Sequence, residues 1–588
     1  MPDRPAPHVG LGSIPHGDGT TFRVWAPNAD AVSVVGSFND WSGDADPLSP
    51  EDNGHWAVDV GQAGPGDEYQ YLIHHGDEWL HRIDPRARAV TNSTGNAIVY
   101  DRDAFDWQDD GFSCPPHHEL VIYETHIGSF AGSDRPGDLA GLAGKLGYLR
   151  DLGVTAIELM PVAEFAGDYS WGYNPACPFA VESTYGGPEL LKAVVREAHQ
   201  HGIAVIVDVV LNHFGPSDLS LWEFDGWSEE GKGGIYFYND ERSATPWGET
   251  RPDYGREEVR AYLHDNALMW LDEFHLDGLR FDATLYIRTI DGLGTGDLPE
   301  GWDVMRSITD TIRERYPDKI IIAEDLQSDP AITSTDEGGA GFHAQWDASF
   351  VHPVRAMLTA VDDADRSMHD LAEALRGSAD PFTRVVYTES HDEVANGKLR
   401  VPQEVDGDDP SGWAAQKRAT LGTCITLTAP GIPMLFQGQE FLEDEWFRDN
   451  VPLDWDRAEQ FRDIVRLTRD LIRLRRNDAG DSAGLGGGDF RLLHLDDDAK
   501  TIAWSRTSGD TAAVVVVNAS GSPRDVLVGM PSGGPWMVRF NSDASTYSAL
   551  FAGHETHDPE AVEEALDDHP ARAEVSVGAY SLVVLTPA

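Results

Sequence analysis

"GPELLKAVVREAHQHGIAVIVDVVLNH", residues 187–213, places a helical pattern directly before a strand pattern. Apolar side chains recur every three or four positions up to Gly202, which is typical of an amphipathic helix. The segment 204–213, "AVIVDVVLNH", then reads as a strand that ends in polar residues. Helices that alternate with strands in this way indicate a parallel α/β sheet.

The same alternation extends in both directions from this segment. The candidate strands are "LVIYETHIG" (120–128), "AIELM" (156–160), "AVIVDVVLNH" (204–213), "DGLRFDAT" (277–284), "KIIIAEDL" (319–326), "HAQWDASF" (343–350), "RVVYTES" (384–390) and "GIPMLFQGQE" (431–440). Eight strands over roughly 360 residues is the number expected for a (β/α)8 TIM barrel with insertions. The longest insertion, 214–255, follows the third strand.

Both flanks of this region have a β pattern instead. The first ~110 residues alternate apolar and polar side chains between Pro, Asn and Gly punctuation. After 480, runs such as "TAAVVVVNAS" (511–520) are β-like again. We therefore predict an α/β protein with an N-terminal β-sandwich (1–112), a catalytic barrel (113–480) and a C-terminal β-sandwich (481–588).

Charge is the unusual bulk property of this chain. Its 588 residues carry 100 acidic against 44 basic side chains, a formal net charge of −56. Nucleic acid and anionic membranes are disfavoured as partners because this surface would repel them, whereas a neutral polymer is not repelled. Such self-repulsion is tolerable at high salt, where the Debye length falls to ~3 Å at 1 M. The composition favours a salt-accumulating halophile, with an acidic mesophilic surface as the alternative.

Cysteine content and hydropathy both bear on where the protein is located. The cysteine content indicates a reducing compartment. The three cysteines lie far apart without paired spacing, so we expect neither a disulfide framework nor a zinc site. No apolar run is long enough to span a membrane. The first nineteen residues lack a basic and an apolar region, so we expect no signal peptide and predict a cytoplasmic protein.

Polar groups that can act in catalysis follow several of the predicted strands. They are Asp208, His213, Arg280, Asp282, Glu324, His391 and Asp392. Active sites of barrels lie at the carboxyl ends of the strands, so these residues can converge although they are distant in sequence. A single strand-end carboxylate is ordinarily a helix cap or a solvated loop residue, but its repetition on several strands is hard to attribute to coincidence.

Glycosidic cleavage is the chemistry that uses several carboxylates around one point. A retaining enzyme needs a nucleophile and an acid about 5–5.5 Å apart. Arg280 and Asp282 lie on the same face of their strand, so the guanidinium can hold the carboxylate ionised as a nucleophile. Glu324 follows one βα unit later in an apolar context, where burial would raise its pKa as a proton donor requires. Asp392, His213 and His391 would contact sugar hydroxyls; residues of the barrel rim without a catalytic role are the alternative for the histidines.

Four segments, "DVVLNH", "GLRFDAT", "IIAEDL" and "TESHDEV", resemble the consecutive signature regions of the α-amylase superfamily, glycoside hydrolase family 13. The resemblance covers nearly the whole chain. It implies that Asp282 is the nucleophile, Glu324 the acid/base and Asp392 the stabiliser of the transition state. It also implies an α-1,4-glucan or maltooligosaccharide substrate. Four residues fall on positions that support the substrate site in this family: Asp208, His213, Arg280 and His391.

The sequence departs from this family at one position. A tyrosine usually follows the second strand as a platform for the reacting sugar, whereas "WGYNPACPFAVESTYG" (171–186) places Phe179 there. A phenyl ring can still stack, but it offers no hydroxyl. Tyr173 is the other candidate for this platform.

The N-terminal segment "FRVWAPNADAVSVVGSFNDW" (22–41) resembles the family-48 carbohydrate-binding module. Trp25, Trp41 and Trp79 are candidate sugar platforms, and for Trp25 packing in a core or an interface is the favoured alternative. Some amylases hold calcium at the position of Asn212, but one asparagine does not specify the six or more oxygen ligands that calcium takes. We therefore expect no essential metal and no cofactor.

The reaction itself has alternatives within this family. "SHDEVANGK" (390–398) is close to a run of the branching enzymes, which favours a 1,4-α-glucan branching glycosyltransferase. "ELMPVAEFAGDYSWGYN" (158–174), "TPWG" (245–248) and "AEDLQSDP" (323–330) resemble malto-oligosyltrehalose trehalohydrolase, so a hydrolase of α-1,4-glucans or maltooligosyl-trehalose is the alternative. A non-catalytic glucan-binding protein is disfavoured because every expected carboxylate is present. Both reactions use one covalent glycosyl-enzyme, so the carboxylates do not separate them.

Overall fold

A parallel barrel forms the centre of the molecule in a computed structural model that describes residues 8–108, 111–132 and 136–588. Within these ranges, eight strands close the barrel in sequence order, and each pairs in parallel with the next. Their bounds are Ile122–Thr125, Ala156–Leu159, Ala204–Val209, Gly278–Phe281, Ile320–Ala323, Ala344–Trp346, Arg384–Val386 and Ile432–Phe436. The predicted fold class and all the predicted barrel strands are confirmed.

The barrel strands are shorter than predicted at their carboxyl ends. The first was expected to reach residue 128, but it ends at Thr125 and a short helix, Ile127–Phe130, follows at once. The fourth ends at Phe281, and Thr284 already begins the next helix. A backbone hydrogen bond still follows each of these strand ends, from Met160 to Thr125 and from Glu324 to Phe281, before the chain turns away.

The interior of the barrel is apolar below its carboxyl end. Alternate residues of each strand point inward, and Ile122, Ala156, Ile206, Ile322 and Met434 belong to one buried cluster. Two residues further along four of these strands, the side chains of Glu124, Glu158, Asp208 and Glu324 replace the apolar ones, whereas Phe436 follows Met434. The apolar layers therefore form a fixed base beneath a polar layer.

Helices cover the outside of the barrel. Those described are Ile127–Phe130, Leu139–Ala143, Leu146–Leu152, Gly187–Gln200, Glu257–Asp272, Thr284–Arg288, Pro299–Arg315, Pro330–Thr333, Ala348–Thr359, Met368–Arg376, Val401–Val405, Trp413–Thr428, Asp456–Gln460 and Arg462–Arg475. The helix Gly187–Gln200 has a proline in its first turn, where no N–H is needed. It ends before Gly202, whose φ of 73° suits glycine.

The N-terminal region packs two layers of strands against each other. One sheet contains Gly12–His16, Gly19–Trp25, Ser49–Pro50 and His55–Val60, and the other contains Ala31–Gly36, Glu68–His75, Glu78–Arg82, Ala89–Val90 and Ala97–Ile98. Phe22 of the first and Tyr69 of the second meet edge-on at 4.9 Å between ring centroids. Trp25 is nearly buried and meets Tyr236 edge-on, as expected of an interface residue.

The insertion after the third strand joins this region to the barrel. It contains the short 3₁₀ helices Gly234–Tyr236 and Glu241–Ser243. Asp225 accepts hydrogen bonds from the backbone and the side chain of Asn28, at 2.8 and 3.0 Å. Arg82 donates to the carbonyl oxygen of Phe224 at 2.9 Å. A small hairpin, Ala163–Phe165 with Pro175–Val181, lies after the second barrel strand.

The C-terminal region is again built from strands. One sheet contains Asp489–Asp496, Thr501–Ser508, Thr511–Asn518, Gly534–Asn541, Glu560–Ala561 and Ser581–Pro587; Arg524–Met530 pairs with Ala571–Val577 in another. A buried ion pair fastens this region to the barrel: Lys417 Nζ lies 2.6 Å from Asp543 Oδ1. Lys417 also donates to the Ser581 hydroxyl at 2.7 Å.

A helix that crosses a membrane must be both long and apolar. Across residues 8–108, 111–132 and 136–588, none of the helices combines the length and the apolar character that crossing a bilayer requires.

Candidate active site

A cleft of about 720 Å³ opens at the carboxyl ends of the barrel strands. Its lining includes Tyr173, Trp247, Asp282, Tyr286, Glu324, His391 and Asp392. These residues come from the ends of different strands, as the sequence predicted for a barrel site. The three proposed catalytic carboxylates thus lie in one cleft.

Arg280 holds the carboxylates of this cleft together. Its Nη1 donates to Asp282 Oδ1 at 3.0 Å and also to Asp208 Oδ2. Its Nη2 lies 3.4 Å from Glu324 Oε2. The guanidinium is fully buried and stacks on the ring of Trp346 at 4.4 Å. One fixed cation therefore contacts both Asp282 and Glu324, which places the two carboxyl groups beside each other.

Asp282 is held from two directions. Arg280 binds one carboxylate oxygen, and Asn212 Nδ2 donates to the other at 2.7 Å. Asn212 also donates to the carbonyl oxygen of Asp282 at 2.9 Å. Both oxygens of the carboxylate are therefore bound, and Asp282 is oriented as a nucleophile requires.

Glu324 has the opposite electrostatic environment. Burial raises its pKa to about 8; Arg280 opposes this shift, whereas the carboxylates of Asp282 and Asp392 add to it. The backbone N–H of Ala283 donates to Glu324 Oε2 at 2.6 Å. A carboxyl group with this pKa is protonated near neutral pH and can donate its proton.

His391 and Asp392 follow the seventh strand. Glu124, on the first strand, accepts hydrogen bonds from the Nδ1 and the backbone N–H of His391. Burial lowers the pKa of His391, but the carboxylates of Asp392 and Glu124 outweigh it and raise this pKa to about 9. The Asp392 carboxylate lies 3.6 Å from His391 Nε2, with 46% of its side chain exposed to the cleft.

Tyr173 and Asp208 form the wall behind these groups. The Tyr173 hydroxyl donates to Asp208 Oδ2 at 2.6 Å. Its ring stacks on His391 with 5.1 Å between centroids. Burial raises the pKa of Asp208 to about 6, although Arg280 opposes the shift. Tyr173, the second platform candidate, therefore lies in the cleft lining, and its contact with the reacting sugar stays a prediction.

Phe179 is not part of the cleft, which corrects the first of the two platform candidates. It lies in the strand Pro175–Val181, where every residue is buried. Its ring packs against Tyr262 and beneath the guanidinium groups of Arg86 and Arg88. A ring with 0% exposure cannot stack on a sugar. Its role is packing between the N-terminal region and the barrel.

His213 lies behind the cleft rather than in its lining. Its Nδ1 is 2.5 Å from Asn212 Oδ1, and its ring stacks on Trp247 at 4.6 Å. Trp247 comes from the insertion, is 42% exposed and also meets Tyr286 edge-on. His213 therefore supports an aromatic wall of the cleft instead of contacting its interior.

Sequence reasoning missed several residues of this site. Glu124 and Glu158 are buried carboxyl groups in the first and second strands, and Trp346 stacks on Arg280 from the sixth. A charged residue inside "LVIYETHIG" or "AIELM" was the available signal for the carboxyl groups. Trp346 gave no signal, because a tryptophan in a strand is ordinarily a core residue.

The eighth strand ends in residues with structural roles. Gln437 bonds to Ser129 and the backbone of His126, and Gln439 donates to Thr388. Glu440 accepts from the hydroxyls of Tyr123 and Tyr148. These three side chains therefore hydrogen-bond within the carboxyl end of the barrel.

Metal binding finds little support in the described side chains. Among them, no group of three or more His, Cys, Asp or Glu residues is arranged to hold a metal ion. The Asn212 amide is already bound to Asp282 and His213. The absence of an essential metal stays a prediction.

Three family models match consecutive parts of this chain. Carbohydrate-binding module 48 (isoamylase N-terminal domain) matches residues 10–87. The α-amylase catalytic domain matches residues 89–222 and 220–517, more than half of the chain. The α-amylase C-terminal all-β domain matches residues 493–588.

Individual relatives agree with these matches. The 1,4-alpha-glucan branching enzyme GlgB of Salinibacter ruber is 32% identical over 579 residues, covering 92% of this chain and 91% of that protein. The enzyme of the same name from Nocardia farcinica is 33% identical over 566 residues, covering 91% and 74%. Pullulanase type I from Bacillus subtilis str. 168, solved with maltose, has a TM-score of 0.76 at 25% identity and covers 99% of this chain and 86% of its own. The chain therefore belongs to the α-amylase family, glycoside hydrolase family 13, and is an enzyme of that family.

Proposed function

We propose that this enzyme is a 1,4-α-glucan branching glycosyltransferase, which cleaves α-1,4 links and forms α-1,6 branches. The observation that carries the proposal is the contact of Asp282 and Glu324 with one buried guanidinium in an open cleft. The branching enzymes similar over nine-tenths of the chain favour transfer as the reaction.

Asp282 and Glu324 would perform the first step together. The Asp282 carboxylate attacks the anomeric carbon while Glu324 gives its proton to the departing glycosidic oxygen. The bond to the leaving glucan breaks as the bond to Asp282 forms, which leaves a covalent glycosyl-enzyme. Arg280 and Asn212 keep the attacking oxygen in place.

The second step reverses these roles. The 6-hydroxyl of an acceptor glucan gives its proton to the Glu324 carboxylate and attacks the anomeric carbon, which releases Asp282. Asp392 would stabilise the positive charge that develops on the sugar ring in both steps. Tyr173 and His391 would contact the reacting sugar, since both line the cleft; Asp208 would act behind them through Tyr173 and Arg280, and His213 through Trp247.

Hydrolysis of α-1,4-glucans or of maltooligosyl-trehalose is the alternative. The run "TPWG" (245–248), which resembles a trehalohydrolase, places Trp247 in the cleft lining. Water would then replace the acceptor hydroxyl in the second step, with the same carboxylates.

The test is an incubation with amylose in molar KCl that follows iodine colour and reducing ends together. Branching predicts loss of colour with few new reducing ends and with branches that isoamylase removes. Reducing ends that rise in step with the loss of colour would overturn transfer in favour of hydrolysis. Maltooligosyl-trehalose would then be tested for release of trehalose.

The cellular setting is inferred from charge. We propose a cytoplasmic enzyme of a salt-accumulating halophile, because a net charge of −56 is tolerable where salt screens it. The same charge disfavours nucleic acid and anionic membranes as partners but not a neutral glucan. A thermal unfolding midpoint that falls with added KCl would contradict the halophilic assignment.

We also propose 1–112, 113–480 and 481–588 as the units of the chain.

A further inference from the structure

Glu158 lies inside the barrel behind the active-site cleft, yet the proposed reaction gives it no role. It belongs to the second barrel strand, where it pairs in register with Glu124 on one side and Ile206 on the other. Ala156 and Ile206 point into the barrel, so Glu158 and Asp208, two residues further along these strands, point inward as well. Glu158 is only 2% exposed.

Several buried polar atoms near Glu158 have no hydrogen-bond partner among the described residues. Among the described residues, Glu158 Oε2 and Asp208 Oδ1 are buried acceptors without a donor, and Arg280 Nε is a buried donor without an acceptor. Such groups are costly in an interior. An ionised carboxylate can only accept hydrogen bonds, whereas a carboxylic acid accepts through its carbonyl oxygen and donates through its hydroxyl.

The charges around Glu158 also favour its protonated form. Five carboxyl groups meet at this level: Glu124, Glu158, Asp208, Asp282 and Glu324. The cations that face them are Arg280 and His391. Burial raises the pKa of Glu158 well above its ordinary value, and the neighbouring carboxylates of Glu124 and Asp208 add to the shift. Glu124 pairs with His391, whereas Glu158 forms no ion pair with any residue that the structure describes.

We propose that Glu158 is a positioning residue of this active site, present as a carboxylic acid whose hydroxyl donates to the unpaired Oδ1 of Asp208 on the neighbouring strand. The neutral Glu158 side chain holds Asp208, and through it Arg280, without adding a further negative charge beneath Asp282. Arg280 then keeps its Nη1 directed at Asp282. The proposal rests on the proposed function, because it acts through the assigned nucleophile.

Three variants at one position separate the possible roles. Glu158→Gln keeps both an acceptor and a donor without charge, Glu158→Leu keeps volume alone, and Glu158→Ala keeps neither. We expect Glu158→Gln to retain kcat within about threefold. We expect kcat to fall about 10- to 100-fold in Glu158→Leu and Glu158→Ala, because Asp208, which holds Arg280, then keeps an unpaired oxygen. KM should change little, since Glu158 lies behind the cleft.

Glu124→Gln is the matched control in the same layer. It makes the same chemical change on the neighbouring strand, but Glu124 is the ionised partner of His391, so a clear loss of kcat is expected there. If Glu158→Gln loses as much activity as Glu158→Leu, an ionised carboxylate is required and the proposal is overturned. If Glu158→Leu and Glu158→Ala are both as active as the unaltered enzyme, Glu158 has no positioning role.

Infrared difference spectroscopy tests the protonation directly and does not depend on the reaction. The spectrum of the unaltered enzyme minus that of Glu158→Gln should contain the carbonyl stretch of a protonated carboxyl group at neutral pH. Glu324→Gln identifies the separate band of the acid/base. Absence of the Glu158 band would overturn the proposal even with every activity as expected. Full activity of Asp282→Asn would instead overturn the assigned nucleophile, while the band would still decide the state of Glu158.

Discussion

Glu124 and His391, which stand 267 residues apart in the sequence, are joined by hydrogen bonds from the ring and from the backbone of the histidine. The first and seventh strands are not neighbours in the barrel, since the eighth lies between them. The contact therefore passes over the eighth strand and ties the loop that carries Asp392 to the first strand. The positive charge of His391 depends in part on this carboxylate.

Replacing Glu124 with glutamine should lower the pKa of His391. The pKa is about 9 because Asp392 and Glu124 outweigh the effect of burial, so losing one carboxylate shifts the titration to lower pH. An NMR titration of the His391 ring measures this. Glu440→Gln, which removes a buried carboxyl group bound to tyrosines instead, should leave the midpoint in place. An unchanged midpoint in Glu124→Gln would show that Asp392 suffices.

Asp282→Asn should abolish turnover and leave the fold intact. The amide keeps the shape of the side chain but cannot form the glycosyl-enzyme, so we expect a loss of more than about 10⁴-fold in kcat. Asp336→Asn, at an exposed loop residue, is the control and should be fully active. Circular dichroism verifies the fold of both variants. An Asp282→Asn enzyme with full activity would refute the assignment of the nucleophile.

Glu324 sets the alkaline limit of activity. Its acid form is needed to protonate the leaving glucan, and this form is lost as pH rises through about 8. kcat on amylose should therefore fall above that pH. Glu324→Gln should lose turnover of amylose far more than turnover of α-maltosyl fluoride, because fluoride leaves without a proton. Equal losses on both donors would argue against a role in proton donation.

Tyr173 and Phe179 should respond differently to substitution. Tyr173→Phe keeps the ring on His391 but removes the hydroxyl that binds Asp208, so we expect kcat to fall about tenfold. Phe179→Leu should keep kcat and lower the free energy of unfolding by about 1 kcal/mol, because its ring is a packing residue. Urea unfolding and amylose turnover on both variants decide between the two positions. A large loss of kcat in Phe179→Leu would restore it as a candidate.

A pair of buried carboxyl groups outside the cleft should make stability depend on pH. Burial raises the pKa of Glu164 to about 8, and the carboxylate of Glu182 adds to the shift. Between the ordinary value of 4.5 and about 8, the unfolded chain releases a proton that the folded chain retains. The free energy of unfolding therefore decreases as pH rises through this range.

Glu164→Gln removes this titration, so its unfolding free energy should decrease less from pH 5 to pH 8 than that of the unaltered enzyme. Urea unfolding at both pH values gives the comparison. Glu314→Gln, at an exposed position, should retain the original dependence. If Glu164→Gln shows the full decrease, other groups must be responsible for it.

The fold and the cleft could largely be read from the sequence for identifiable reasons. Buried parallel strands are apolar runs, and Arg280, Asp282 and Glu324 interrupt such runs at their ends, where barrel sites form. Phe179 was misplaced because the connection between the second and third strands contains its own hairpin, whose direction depends on tertiary contacts with Arg86 and Tyr262. Glu158 and Trp346 were missed because their importance lies in contacts between strands, which no local pattern encodes.

The ion pair of Lys417 and Asp543 bears on how far this architecture is modular. Lys417 belongs to the helix Trp413–Thr428 of the barrel, and both partners are almost fully buried. Deleting the C-terminal strands would expose the Lys417 ammonium group to water, whereas a new domain that covers it without a carboxylate would leave a buried unpaired charge, which commonly costs several kcal/mol. A chimera that grafts another terminal domain onto this barrel would have to bring its own carboxylate to that helix. Enzyme engineers should therefore transplant the helix and the sheet as one piece.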